Sequence, residues 1–173
     1  DPIAFVVSGL FQNPYFVKED IKTADGRMDS TKIIEYLGRK LREPDTFSYI
    51  YNWFDKELTT VFDLDVFEKP FPVETGVGIY EKDQVKALII RLEDLSGTGT
   101  KAISEFLDMD TPLILKKANV RAELNESDAY MEVLNNLSVD PDLCREIYSS
   151  KYVRHFYDEG MINKFISRWA NNG

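Results

Sequence analysis

The chain has 173 residues, a length that suits one domain able to bury roughly 70% of the surface its unfolded form exposes. Acidic residues outnumber lysine and arginine by 30 to 21, for a net charge of −9, and no long basic run interrupts the excess, which excludes a general nucleic-acid binder. The single cysteine, Cys144, excludes an internal disulfide, the lack of Cys/His clusters excludes a structural zinc site of the usual spacing, and no apolar run reaches the roughly 20 residues of a membrane span.

The chain opens on Asp1-Pro2 without an initiator Met, so a preceding segment is expected. Pro2 suits a first helical turn, and Ile3, Val6, Val7 and Leu10 recur at helical spacing until Asn13-Pro14. Asp25-Gly26 signals a turn. Asp29 or Ser30 then caps a helix with Ile33, Ile34, Leu37 and Leu41 on one face, closed by Pro44. Asp45 or Thr46 starts a third helix, whose apolar stripe runs Tyr49, Ile50, Trp53, Phe54, Leu58, Val61 and Phe62. Two prolines between Val66 and Pro72, followed by Gly76 and Gly78, break this periodicity and lead into a strand at Ile79-Tyr80. Glu81 to Gln84 reads as a turn, and Val85 to Leu92 reads as a strand buried on both faces, because Ala87 to Ile90 is continuously apolar. Ser96 to Gly99 reads as a loop, from which Thr100 caps a helix burying Ile103, Phe106 and Leu107. Helices are expected again over 127 to 137, 141 to 149 and 158 to 170.

Several clusters can carry chemistry. Ser149, Ser150, Lys151 and Arg154 gather hydroxyls and cations within six positions of an acidic chain; they suit a phosphate or sulfate, or serve as ordinary cations near a helix C-terminus. His155 is the lone histidine and titrates near neutrality, so it is a candidate general base for a sugar hydroxyl, or else a packed ring among aromatics. Asp55 and Glu57 are alternative bases, or solvated helix carboxylates. Trp53 with Tyr49 and Phe54 forms either an aromatic platform for a sugar ring or a core stripe. Ser96-Gly97-Thr98-Gly99-Thr100-Lys101 fails the phosphate-loop pattern, because Thr100 separates the glycine from the lysine and no Ser or Thr follows it. Asp63-Leu64-Asp65 follows a helix rather than a buried strand and is discounted as an acidic metal motif; no metal ligand is assigned.

Three stretches resemble sulfotransferases. Asp1-Pro2 with Ser8 resembles their Arg-Asp-Pro element, in which a Ser eight positions after the Arg grips the donor's 3′-phosphate. Arg91-Leu92-Glu93-Asp94-Leu95 with Phe106-Leu107 resembles their Arg-aromatic-Glu-Asp-Leu strand end, where Glu93 and Asp94 are expected to satisfy backbone donors. Tyr148 to Tyr157, with Phe165 to Trp169, Trp53 to Leu58 and Lys69-Pro70-Phe71, is similar to the capsular polysaccharide synthesis group of sulfotransferase-like proteins. The resemblance implies a single domain over 1–173, α/β in class: a helix-rich P-loop sulfotransferase-like fold with a few parallel strands flanked by helices, N-terminally truncated, with the P-loop and the arginine expected in a segment before Asp1. It implies sulfuryl transfer from 3′-phosphoadenosine 5′-phosphosulfate to a carbohydrate acceptor in the cytoplasm. Ser8, Ser150, Lys151 and Arg154 would bind the donor, and His155, Glu57 or Asp55 would act as base. A non-catalytic binding or scaffold module of the same fold is the alternative, and a glycosyltransferase of the pathway a third.

Overall fold

The computed structural model describes residues 1–14, 17, 20–111, 113–115 and 127–170. In chain order these form α1 (Pro2–Gln12), α2 (Ser30–Lys40), α3 (Ser48–Phe54), a π-helical turn (Asp55–Thr59), α4 (Thr60–Phe62), β1 (Val77–Lys82), β2 (Val85–Ile90), α5 (Thr100–Phe106), α6 (Ser127–Asn136), α7 (Pro141–Tyr148), α8 (Lys151–Phe156) and α9 (Glu159–Ala170). The chain divides into two compact units. One comprises Asp1–Ile50, Ala118–Ser150 and Gly160–Gly173, the other Tyr51–Lys117 and Lys151–Glu159.

The first unit is helical. Asp1 caps α1 by accepting from the Ala4 N–H, and Pro2 sits in the first turn, where its missing N–H costs nothing. Asp29, rather than Ser30, caps α2 by accepting from the Thr31 and Lys32 N–H groups. Asp140 caps α7 in the same way, with Pro141 next. Gly26, at φ +83°, turns the chain between the bridged residues Lys22 and Met28, a conformation that favours glycine. The core of this unit holds Ile3, Val7, Leu10 and Phe11 of α1, Ile33 and Leu37 of α2, and the fully buried Trp169 of α9.

The second unit contains a sheet that differs from the parallel strands expected of the fold. β1 and β2 pair antiparallel, Val77 opposite Ile90 and Lys82 opposite Val85, as a hairpin closed by Asp83-Gln84. A link of two residues cannot carry a parallel crossover, so the Glu81–Gln84 turn already dictates the hairpin. β2 is half-buried, with Lys86 exposed, rather than buried on both faces. Ser96–Gly99 is not a loop: Leu95–Gly99 is a π turn, kinked at Gly97, that runs directly into α5. A Cβ on Gly99 would lie 2.9 Å from Ile90 Cγ2 and 3.0 Å from the Asp94 carbonyl oxygen, which keeps this residue small. Leu107, expected inside, is exposed just beyond the end of α5. The aromatic stripe of the third helix is buried only at Phe54; Tyr49 is 65% exposed and Trp53 36%.

Candidate functional site

The second unit is organised around aromatic rings. Phe54 at the end of α3 lies 5.0 Å from the Phe156 ring of α8 and 6.1 Å from Phe67, which belongs to the short helical turn Val66–Glu68. Phe71 packs on Phe156 from the Pro-flanked segment at 5.0 Å. His155 closes this cluster, 4.9 Å from Phe67 and edge-on to Phe156. Its Nε2 faces the hydroxyl of buried Tyr80, from β1, at 3.4 Å, and the ring also bonds the Val66 backbone. Burial and then the nearby Lys151 ammonium hold the His155 pKa below its ordinary value, against the opposing Val66 carbonyl and Asp65 carboxylate, so the ring is neutral at pH 7. Lys151 sits one turn before His155 with Nζ over the Phe67 ring, 4.1 Å from its centroid.

A second polar group lies where β2 ends. Arg91 is buried; its Nε donates to Asp94 Oδ2 at 2.6 Å and its Nη1 donates to the Phe156 carbonyl at 3.1 Å. Its guanidinium also faces the rings of Phe71 and Tyr157. The Tyr157 hydroxyl donates to Glu93, 3.3 Å from each carboxylate oxygen. Burial, reinforced by Glu93, pushes the Tyr157 phenol far up and the Tyr152 phenol up to about 12. Glu93 and Asp94 therefore take side-chain donors from Tyr157 and Arg91, where the sequence had suggested backbone donors at a strand end.

In the first unit, the opening of α1 is already occupied. Asp1 accepts not only from Ala4 N–H but from the Tyr148 hydroxyl at 2.7 Å and the Trp169 indole N–H at 3.0 Å. Ser8 lies in the second turn of α1, roughly 9 Å along the axis from Pro2, so its hydroxyl is not beside the free N–H groups of the helix start. It is half-buried and weakly engaged by the Gln12 amide at 3.4 Å.

The remaining predicted residues fall in both units. Ser8 and Ser150 belong to the first unit, whereas Asp55, Glu57, Lys151, Arg154 and His155 belong to the second. Of these, the described contacts bring together only Lys151 and His155, both against Phe67. Asp55 and Glu57 are exposed within the π turn, and Arg154 is exposed on α8. Sequence reasoning missed Tyr80 and Tyr157 as partners of His155 and Glu93, because such pairings span 75 and 64 residues and have no local signal. Two open surface grooves flank α5, of about 480 and 440 Å³, and none of the predicted site residues lines either.

Among the described residues, no helix is long and apolar enough to cross a membrane. Neither a curated protein nor a solved structure matches the chain. Residues 25–158 match the model of the NKWYS family, whose description is "Putative capsular polysaccharide synthesis protein". That match takes in α2 through α8, including the aromatic cluster, the Arg91–Asp94 pair and the Glu93–Tyr157 bond. Covering more than half of the chain, it makes this protein a member of that capsular polysaccharide synthesis family.

Proposed function

We propose that the protein transfers a sulfuryl group from 3′-phosphoadenosine 5′-phosphosulfate to a hydroxyl of a capsular polysaccharide or its precursor. The observation that carries the reading is the Asp1-Pro2 start of α1 followed by Ser8, in a chain whose family is one of capsular polysaccharide synthesis. Ser8 has a hydroxyl held only weakly by Gln12, so it can donate to a phosphate oxygen. Lys151 and Arg154 are exposed cations with no carboxylate within ion-pair distance among the described residues, a state that suits an anionic ligand.

In the reaction, an acceptor oxygen bonds to sulfur as the bond from sulfur to the bridging phosphate oxygen breaks. The electron pair leaves with 3′-phosphoadenosine 5′-phosphate, and the hydroxyl proton goes to a base. His155 is the base best suited to this step, because it is neutral at pH 7 and its Nε2 is held by only a long bond from Tyr80. Catalysis otherwise consists of positioning and charge stabilisation, as in phosphoryl transfer.

The alternative, a sulfotransferase-like module that binds without reacting, draws on a different observation. Tyr80 and the Val66 carbonyl engage the imidazole from within the fold, and Asp55 and Glu57 are exposed to water, so no candidate base is yet free and shielded. Calorimetric titration of the full-length protein with 3′-phosphoadenosine 5′-phosphate tests both. Sulfuryl transfer predicts binding that weakens at least tenfold in Ser8→Ala, the lower end for one charge-assisted hydrogen bond. No binding by the parent protein would overturn it and leave the module.

A further inference from the structure

We propose that the Tyr80 hydroxyl and the Val66 carbonyl form a fixed seat in which the His155 ring takes its proton on Nε2 without leaving the aromatic cluster, with Tyr80 as the positioning residue. The proposal rests on the preceding reading of His155 as the base and names the atom that acts. Every residue involved lies in the second unit.

Packing holds the ring on several sides. Phe67 stands 4.9 Å away, Phe156 lies edge-on at 4.7 Å and Phe71 at 6.3 Å. Nε2 faces the Tyr80 hydroxyl at 3.4 Å, which leaves Nδ1 for the Val66 backbone. A carbonyl only accepts, so Nδ1 carries the hydrogen of the neutral ring and Nε2 carries the lone pair. A hydroxyl both donates and accepts. Tyr80 therefore donates to the bare Nε2 of the neutral ring, and after a turn about its C–O bond it accepts from the Nε2–H of the imidazolium. Both protonation states find partners in one arrangement of the fold, so proton uptake needs a phenol rotor to turn and no ring to move.

Tyr80 is placed firmly enough for this role. It is 4% exposed and pairs with Ala87 across the hairpin. A Cβ on Gly78 would lie 3.0 Å from Tyr80 Cε2 and 3.1 Å from Phe71 Cδ2, so the glycine two positions earlier makes room for the Tyr80 ring beside Phe71. Two charges face the imidazole. The Lys151 ammonium, over the Phe67 ring, disfavours the charged form, whereas the Asp65 carboxylate, just before the Val66–Glu68 turn, favours it. At 3.4 Å the Tyr80 bond is long, and the ring is half-buried rather than enclosed, so an acceptor hydroxyl can compete for Nε2. Its proton goes to Nε2 and from there to water once the sulfated product has left.

His155 is the lone histidine, so a two-bond ¹H–¹⁵N spectrum of the full-length protein, without a polyhistidine tag, shows this ring alone. Above the midpoint of its titration, the spectrum should show a hydrogen on Nδ1 and a bare Nε2, the opposite of the form free histidine prefers in water. Through the titration, the ring protons should keep the ring-current offsets given by Phe67, Phe71 and Phe156. Tyr80→Phe removes an acceptor from the charged ring and a weaker bond from the neutral one, so proton affinity should fall roughly fivefold, read as a lower midpoint. The indole signals of Trp53 and Trp169, one in each unit, report that the variant is folded; if it is not, the two parent spectra decide. A hydrogen on Nε2 in the parent, offsets that vanish on protonation, or a midpoint that stays or rises in folded Tyr80→Phe each overturns the seat. Such a failure with binding of 3′-phosphoadenosine 5′-phosphate intact leaves sulfuryl transfer, with Asp55 or Glu57 as its base. The expected spectra without that binding overturn the transfer and leave the seat.

Discussion

His155 shows how one side chain links packing to pH. Burial and Lys151 lower its pKa in the folded protein, so as pH falls through the ordinary histidine range the unfolded chain takes up a proton before the folded one does. Stability is therefore unaffected by this group above the unfolded pKa, declines as pH falls toward the folded pKa, and levels off below it. An NMR titration of the His155 ring should give a midpoint below about 6.5, and His155→Gln should flatten the slope of stability against pH in that window. A midpoint at or above the free value would mean that the aromatic cluster does not enclose the ring. Cys144, by contrast, is inert by the same physics: burial raises its thiol to about 11, far above the range in which a thiolate nucleophile forms near neutrality.

At the level of elements, the hairpin depends on the junction where β2 ends. The Arg91 N–H donates to the Gly76 carbonyl at 2.9 Å, its side chain pairs with Asp94, and its fork reaches the carbonyl that ends α8. Gly76, at φ +69°, leaves no room for a Cβ, which would sit 1.9 Å from Asp94 Oδ2. Arg91→Met keeps the apolar stem but orphans a carboxylate and a buried carbonyl, so it should cost about 3 kcal/mol, read as a lower denaturant midpoint at unchanged slope. A loss below about 0.5 kcal/mol would show the junction to be incidental. Most elements were legible from local signals. Asp29, Asp140 and Pro141 set helix starts, and the expected helices from 127, 141 and 158 stand within a residue or two of α6, α7 and α9. The hairpin was legible too, in its turn residues, but the expected parallel fold overrode them. The stripe on α3 could not be assigned to the core from sequence, and only Phe54 is buried there, because periodicity reports that residues share a face, not that anything covers it.

For the molecule as a whole, the site was less legible than the elements. Ser8, Lys151, Arg154 and His155 are recognisable by residue type, but their surroundings arise from pairings distant in sequence: Asp1 with Tyr148 and Trp169, Tyr80 with His155, Glu93 with Tyr157. Family membership supplies the biological setting, the making of capsular polysaccharide, and sulfuryl transfer is the reaction proposed within it. The most direct test is the sulfate content, per sugar, of capsular polysaccharide from the source organism with and without the gene. Sulfuryl transfer predicts that deletion removes sulfate from the polymer and that Ser8→Ala restores it less well than the parent gene does. Polymer made in lower amount but with unchanged sulfate per sugar would contradict the transfer and favour a binding module.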